Sequence, residues 1–310
     1  MTAPIRIGLV GIGKIARDQH IPNLRANPAF DLVAGASHHA MEDAGLPLYL
    51  TLGEMLDAHP ELDAVSICTP PQARHELAHL ALTRGKHVFL EKPPGATLSE
   101  VEALSREAGR LGRTLFASWH SRFAPAVEPA RLWLAGRRIT AVRIDWREDV
   151  RKWHPGQAWI WQPGGLGVFD PGINALSIAT AILPRPFFLT DAELRFPANQ
   201  AAPIAADLSF RDDSGLEITA AFDWLQTGLQ TWDIRVDTDD GQLLLSMGGT
   251  VMSVDGKPVI QAADAEYAGL YRHFAELIAG GVSDVDVSPL RHVADAFMRG
   301  RRVVTDAFED

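Results

Sequence analysis

The stretch IRIGLVGIGKIA, residues 5–16, decides the fold of the first part of the chain. An apolar strand runs here directly into the pattern Gly-x-Gly-x-x-Ala, where a helix is predicted to begin. In such a turn the first glycine allows the tight bend, the second lets the backbone approach a pyrophosphate, and the small last residue lets helix and strand pack closely. Free amides at the helix N-terminus attract the anion. We therefore expect a dinucleotide-binding turn, with cofactor contacts from Gly11, Ile12, Gly13, Lys14 and Ile15.

Around this turn, short apolar runs alternate with helical patterns. The apolar runs lie at residues 5–12, 31–36, 63–69, 87–91 and 114–119. The helical patterns lie at about residues 14–26, 53–58, 72–84 and 99–111. Continuously apolar strands are buried on both faces, as in a parallel sheet covered by helices on each side. The pattern predicts an α/β fold, with residues 1–120 forming a Rossmann dinucleotide-binding domain.

The pattern changes beyond residue 121. Segments of alternating polarity lie at residues 139–149, 188–196, 206–212, 217–224, 231–238, 241–247 and 249–256. Helical patterns lie at about residues 125–135, 167–183, 264–279 and 288–302. Alternation is typical of an antiparallel sheet with one exposed face. We expect residues 121–310 to form a substrate-binding α+β domain with a large, mainly antiparallel open-faced sheet.

Composition excludes several classes of partner. The 310 residues carry a net charge of −10 and show no basic stripe, which argues against nucleic acid and anionic membranes. The single cysteine, Cys68, rules out an internal disulfide and a zinc-type cysteine cluster, and no metal site is predicted. No run of about 18 apolar residues is present, nor a signal-peptide pattern. The expected location is the cytoplasm.

The end of the second predicted strand bears on the choice of cofactor. An NAD-preferring site usually ends this strand with an acid that holds the ribose 2′-hydroxyl. Asp31 begins the strand instead, and the strand ends at Ser37, followed by His38 and His39. A serine can donate a hydrogen bond to a 2′-phosphate, and a histidine adds positive charge. The sequence favours NADP, with NAD possible; the alternative is that these are ordinary loop residues.

A lysine stands where another parallel strand should end. The run HVFLEKPPGA, residues 87–96, places Glu91 and Lys92 at this point. Ligands bind outside the carboxyl ends of such strands, so Lys92 should face the ligand. On its own, this residue could equally be a solvated lysine of a loop.

Three motifs together resemble the glucose–fructose oxidoreductase and inositol dehydrogenase (Gfo/Idh/MocA) family. They are Glu91-Lys92-Pro93, Thr69-Pro70-Pro71 with His75 further on, and Asp170-Pro171-Gly172-Ile173-Asn174. The resemblance implies cofactor contacts from Thr69, Pro70, His75, Glu91 and Lys92. It also implies a homodimer or homotetramer formed through the outer face of the C-terminal sheet. Asn174 departs from the family, which mostly carries histidine there; asparagine can bind a sugar hydroxyl but cannot take its proton.

Further residues resemble one branch of this family. They are Trp119-His120, Glu148 and Trp153-His154. The branch oxidises the anomeric carbon of an aldose, L-arabinose or D-galactose, to the lactone. Other possibilities are a dehydrogenase for another polyol or an inositol, an NAD-dependent glycosidase, and a non-catalytic NADP-binding regulator, because fold does not determine function.

Lys92 and Asp170 are the predicted catalytic pair. Opposite charges at close range would keep Lys92 protonated and Asp170 ionised. Asp170 would then act as the base while Lys92 stabilises the developing alkoxide; a neutral Lys92 acting as base is the alternative. A helix would place Asp170 and Asn174, four residues apart, on one face. Asp170 could instead simply cap that helix.

The remaining substrate candidates lie at the junction of the two predicted domains, at the end of the first alternating strand and among the tryptophans. The predicted substrate-binding residues are His120, Glu148, Trp153, His154, Asn174 and Trp232, and Gln162 is a further cofactor candidate. Each of these residues could also have an ordinary structural role. His120 could be a polar histidine at a strand end, Asp149 could be the exposed acid instead of Glu148, and the tryptophans could only fill a core.

Overall fold

The computed structural model describes residues 3–38 and 45–309, which divide between two compact units. The first comprises Met1–Trp119 and Tyr267–Val287, and the second comprises His120–Glu266 and Ser288–Asp310. The predicted boundary at residue 120 falls at the first crossing. Residues 267–287, predicted to lie in the second domain, pack instead with the first unit, because the rings of Tyr271 and Phe274 lie against Phe89.

The strands of the first unit form one parallel sheet. They are β1 (Ile5–Val10), β2 (Phe30–Ala36), β3 (Leu48–Tyr49), β4 (Ala64–Ile67), β5 (His87–Leu90) and β6 (Leu115–Ala117). Their order in the sheet is β3-β2-β1-β4-β5-β6. The chain adds strands on one side of β1 up to β3 and then on its other side from β4 onward, so the strand order reverses between β1 and β4. In such sheets the ligand lies outside the carboxyl ends of the strands at this reversal. The predicted α/β Rossmann architecture is confirmed.

The helices of the described residues fall close to the predicted segments. In chain order they are α1 (Ile21–Ala26), α2 (Leu52–Ala58), α3 (Arg74–Thr83), α4 (Leu98–Leu111), α5 (Val127–Leu134), α6 (Val150–Trp153), α7 (Phe169–Ile182), α8 (Glu266–Gly280) and α9 (Ser288–Arg299). A π-helical turn, Ala16–His20, precedes α1. Thr51 and Thr97 each begin a helix with a reciprocal capping box, as the side chain of a glutamate three residues later binds back to the cap amide.

The second unit is built on a nine-stranded sheet. Its strands are β7 (Ile139–Arg147), β8 (Phe187–Pro197), β9 (Ala205–Asp212), β10 (Glu217–Asp223), β11 (Thr231–Thr238), β12 (Gly241–Ser246), β13 (Val251–Val254), β14 (Lys257–Gln261) and β15 (Arg301–Thr305). Their order is β14-β13-β12-β11-β7-β10-β9-β8-β15. Neighbours are antiparallel except for β10 with β7 and β15 with β8. The predicted large, mainly antiparallel sheet is confirmed.

Two short edge strands differ from the sequence-based expectation. The strand predicted at 249–256 is the hairpin of β13 and β14, and the helix predicted to reach residue 302 ends at Arg299. Gly300 interrupts the helix, and the half-polar segment RRVVT then pairs with β8. Edge strands carry polar residues that weaken the alternating pattern.

Within residues 3–38 and 45–309, every helix is too short or too polar to cross a membrane. The same residues contain no group of three or more histidine, cysteine, aspartate and glutamate side chains arranged to hold a metal ion.

Candidate active site

The glycine turn at the end of β1 has the geometry of a dinucleotide-binding turn. Gly11 has a φ of 86°, and a Cβ there would lie 2.8 Å from the amide nitrogen of Thr69. Only glycine is compatible with this conformation and this close approach. A Cβ on Gly13 would meet no atom within 4 Å, so the backbone there is open to an incoming group.

Thr69, directly after β4, offers an unused polar atom in the same unit. Its Oγ1 is buried and has no hydrogen-bond partner among the described residues. Buried hydroxyls are rarely left without a partner, which indicates that a ligand supplies one. The open backbone at Gly13 and the Thr69 hydroxyl therefore fit a bound dinucleotide.

The other predicted cofactor residues in this unit vary in exposure. Ile12 is buried, Ile15 is exposed, and the Lys14 ammonium pairs with Asp18. Ile12 can therefore meet a cofactor only through its backbone.

Ser37 follows β2, where its amide donates to the carbonyl of Tyr49 at 2.9 Å. The side chain of Ser37 is half-buried and that of His38 is exposed, while His39 lies outside the described residues. Ser37 therefore lies at the carboxyl end of β2, and its contact with a 2′-phosphate stays a prediction.

One buried guanidinium holds the ends of two neighbouring strands together. Arg74 Nε donates to the carbonyl of Thr69 at 2.8 Å, and Nη1 donates to the carbonyls of Glu91 and Pro93. Both predicted strand-end motifs are therefore fixed by one side chain that the sequence interpretation missed. Pro70 is exposed beside them, and His75 is half-buried with its ring parallel to that of His79.

The carboxylate of Glu91 faces into the first unit. It is 2% exposed; Oε1 accepts from the Tyr267 hydroxyl at 2.5 Å, and Oε2 accepts from the Lys92 amide at 2.5 Å. His20 Nε2 lies 3.2 Å from Oε1. Lys92 is half-buried, at the end of β5, and is joined to Pro93 by a cis peptide bond.

In the second unit, a buried glutamate is surrounded by tryptophans. Glu148 follows β7, is 3% exposed, and accepts from Trp224 Nε1 at 3.2 Å and Trp232 Nε1 at 2.9 Å. Since β10 runs parallel to β7, Trp224 at its end reaches the same edge. Trp232 lies there because β11 starts opposite the end of β7. Asp149 is instead the cap of α6, where its side chain accepts from the amide of Arg151.

Asp170 and His154 lie beside this glutamate. Asp170 is 3% exposed on the first turn of α7. His154 Nε2 is 3.5 Å from Asp170 Oδ2 and 3.8 Å from Glu148 Oε1. Val168 occupies the cap position of α7, so Asp170 is not the helix cap. The helix comes this close to the sheet because Gly172 packs on Phe222, where a Cβ would lie 2.6 Å from the ring.

The other predicted substrate residues are also placed by the second unit. The Trp153 ring centre is 5.3 Å from that of Trp232, and its buried Nε1 has no hydrogen-bond partner among the described residues. Asn174 is half-buried, one turn after Asp170 on α7. His120 Nδ1 lies 2.5 Å from Glu266 Oε2. Gln162 is exposed, after a 3₁₀ turn.

Two buried carboxylates that flank one imidazole form an arrangement suited to acid–base chemistry and to hydroxyl recognition. Burying charged groups is costly unless they are paired or hydrogen-bonded, so such clusters mark functional sites more often than structural ones. Tryptophan rings and indole N–H groups add an apolar face and donors. This combination fits a polyhydroxylated ligand.

Several contributing residues escaped the sequence interpretation. They are His20, Arg74, Trp224, Glu266 and Tyr267. Trp224 is the last residue of the strand predicted at 217–224, and this position at a strand end was the available signal. The parallel pairing of β7 and β10 that brings it to Glu148 links distant segments and leaves no local pattern.

The fold and these two sets of residues define a nicotinamide-dependent oxidoreductase. Residues 5–118 match the family model described as "Oxidoreductase family, NAD-binding Rossmann fold", GFO_IDH_MocA. The chain belongs to this Gfo/Idh/MocA family, as its three motifs predict.

Two proteins that this chain matches over nearly its whole length are galactose 1-dehydrogenases. The chain is 50% identical to galactose 1-dehydrogenase of Pseudomonas fluorescens over 308 residues, which cover 99% of each protein. The crystal structure of a D-galactose-1-dehydrogenase from Rhizobium etli is 58% identical, with a TM-score of 0.95 over 100% of this chain and 99% of that one. A 3-ketoreductase from Actinomadura kijaniata, solved with NADP, aligns at a TM-score of 0.86 over 97% of this chain and 99% of its own. At 20% identity it shows the shared fold alone.

Proposed function

We propose that this protein is an NAD(P)-dependent aldose 1-dehydrogenase that oxidises the anomeric carbon of D-galactose to the lactone. The full-length identity of 50% and 58% to two galactose 1-dehydrogenases carries the proposal. L-arabinose is the second proposed substrate, because the two sugars share the hydroxyl arrangement around the pyranose ring.

The second unit supports a sugar as ligand. The His154 ring lies 3.5 Å from the Asp170 carboxylate and 3.8 Å from that of Glu148, and Trp153 offers an unpaired buried N–H. Sugars present many hydroxyls and an apolar ring face, which these groups match. His120, Asn174 and Trp232 complete the proposed substrate contacts.

The first unit supports the cofactor. A nicotinamide cofactor, when bound, accepts the hydride that leaves C1. The turn residues 11–15, with Thr69, Pro70, His75 and Glu91, are the proposed contacts, and Gln162 is proposed from the second unit. NADP is the proposed preference, from Ser37 and His38, with NAD as the second cofactor.

For the proton we propose Asp170 as the base and Lys92 as the charge that stabilises the forming alkoxide. Asp170 is buried beside His154, so a proton received there has a nearby titratable partner at 3.5 Å. The reverse assignment makes neutral Lys92 the base. The pH dependence with which a small amine restores activity to Lys92→Ala distinguishes the two assignments.

The subunits are proposed to associate as a homodimer or homotetramer through the outer face of the nine-stranded sheet. This face carries charges of both signs that already pair within the chain, such as Arg143 with Asp145. A two-fold interface brings the same patch of both subunits together, and a patch with charges of both signs can do so without opposing like charges. The cytoplasmic location stays a prediction of the sequence.

The substrate is tested by the absorbance of reduced cofactor. Purified protein is mixed with NADP or NAD and, in turn, D-galactose, L-arabinose, D-glucose and myo-inositol. We expect rapid reduction with D-galactose and L-arabinose, slower reduction with D-glucose and none with inositol. Lactone formation is checked by the hydroxamate reaction. Turnover of inositol alone, or of no sugar despite cofactor binding, would refute the proposed substrate.

The cofactor preference is tested by Ser37→Asp. A carboxylate at the end of β2 repels a 2′-phosphate and can hold a 2′-hydroxyl, so kcat/KM for NADP relative to NAD should fall by at least about tenfold. Ser99→Asp, on the exposed side of α4, adds the same charge to the same unit and should leave the ratio unchanged. An unchanged ratio in Ser37→Asp would remove Ser37 from the proposed phosphate site.

A further inference from the structure

A chain of buried polar groups lies behind the end of β5 in the first unit. The Tyr271 hydroxyl lies 3.2 Å from Ser66 Oγ and 2.6 Å from His20 Nδ1. His20 Nε2 in turn lies 3.2 Å from Glu91 Oε1. Ser66, His20 and Glu91 are at most 2% exposed. Of these groups only Glu91 is among the proposed cofactor contacts, and neither cofactor binding nor sugar binding accounts for the others.

Two members of this network, His20 and Tyr271, have pKa values raised above their ordinary values. Burial by itself lowers the pKa of His20, but the neighbouring Cys68, Tyr271 and Glu91 outweigh it and raise that pKa well above its ordinary value. Burial raises the pKa of Tyr271 to about 12, so this phenol stays neutral. Oε1 of Glu91 thus lies within hydrogen-bond distance of both the His20 ring and the hydroxyl of Tyr267.

The carboxylate of Glu91 connects Tyr267 to the candidate catalytic lysine, Lys92. Its hydroxyl donates to Oε1 of Glu91 at 2.5 Å, while Oε2 of the same carboxylate accepts from the amide of Lys92 at 2.5 Å. The two oxygens of one rigid carboxylate thus link the phenol to the backbone of Lys92. Arg74 holds the carbonyls on either side of Lys92, those of Glu91 and Pro93. A lysine side chain is flexible, so the position of its backbone determines where its amine can reach.

We propose that Tyr267 is a positioning residue for the oxidation, acting through Glu91 to hold Lys92 in the orientation that chemistry requires. The inference rests on the proposed role of Lys92. Helix α8 supplies Tyr267 from far along the sequence, one residue after Glu266, which binds His120.

The test compares Tyr267→Phe with Tyr271→Phe. Both variants lose one buried phenol hydroxyl from α8, but only Tyr267 donates to Glu91. Hydrogen bonds to charged groups are strong enough that losing this one should lower kcat for D-galactose about ten- to hundredfold in Tyr267→Phe. KM for the sugar and the Kd for NADP should stay near the wild-type values. Tyr271→Phe should lower Tm at least as much yet keep most of kcat.

Two results would overturn the proposal while leaving Lys92 catalytic. One is wild-type kcat in Tyr267→Phe when Lys92→Ala is inactive; the other is equal loss of kcat in both tyrosine variants, in step with Tm. A readout independent of turnover covers the case in which D-galactose is not a substrate. Acetic anhydride labelling of Lys92, followed by mass spectrometry with exposed Lys257 as internal reference, should be faster in Tyr267→Phe than in wild type. Equal labelling would refute the positioning role even then.

Discussion

Lys92→Ala is expected to lower kcat for D-galactose by about 10²–10⁴-fold, the range that positioned proton-transfer or charge-stabilising groups contribute. Lys92 stands at the carboxyl end of β5, where ligands of this sheet class bind. Its backbone is held on three sides, by Glu91 at the amide and by Arg74 at the carbonyls of Glu91 and Pro93. Removing the side chain should therefore leave the surrounding backbone in place.

The measurement pairs steady-state kinetics with cofactor binding. NADP quenching of intrinsic fluorescence should give a Kd close to wild type in Lys92→Ala, since the turn at Gly11 and Gly13 is untouched. Lys257→Ala, an exposed lysine on β14, is the matched control and should retain full kcat. Undiminished turnover in Lys92→Ala would disprove its catalytic role. Loss of NADP binding along with activity would instead make Lys92 a cofactor ligand.

The parts of the fold that sequence predicts well are those with a local cause. The turn at Gly11 follows from a steric rule, because a Cβ there would lie 2.8 Å from the amide of Thr69. The buried parallel strands follow from unbroken apolar runs. The strand ends bearing Thr69 and Lys92 follow from these strands, so the motifs at this edge were found without knowing any long-range contact.

The parts that sequence misses depend on contacts between distant segments. Helix α8 has an amphipathic pattern that is equally suitable for either unit, and only the packing of its aromatic side chains with Phe89 assigns it to the first. Trp224 becomes a partner of Glu148 because β10 pairs in parallel with β7. In the sequence, Arg74 cannot be distinguished from an ordinary exposed helix residue, although in the structure it is buried and binds three carbonyls. Burial of polar side chains has no one-dimensional pattern.

Asp170→Asn is expected to lower kcat by about 10²–10⁴-fold with a smaller change in KM, because the amide keeps the shape of the carboxylate but cannot take a proton. Asp170 is 3% exposed, and its Oδ2 lies 3.5 Å from His154 Nε2, so the substitution also removes the negative neighbour of that ring. Asp212→Asn is the matched control. Asp212 is a similarly buried carboxylate of the second unit that holds the turn at Ser214 and Leu216. Its loss should lower Tm rather than kcat.

Chemical rescue distinguishes the two assignments of the base. If Asp170 takes the proton, formate should restore part of kcat in Asp170→Ala, since a small carboxylate can occupy the vacated space and accept the proton. Ethylamine should then rescue Lys92→Ala only as its cation, so the rescue should fade as the pH rises through the pKa of the amine. If neutral Lys92 is the base, the rescue of Lys92→Ala by ethylamine should instead grow over that range. Wild-type kcat in Asp170→Asn would refute both assignments for Asp170, since neither a base nor the counter-charge of a lysine can be replaced by a neutral amide without loss.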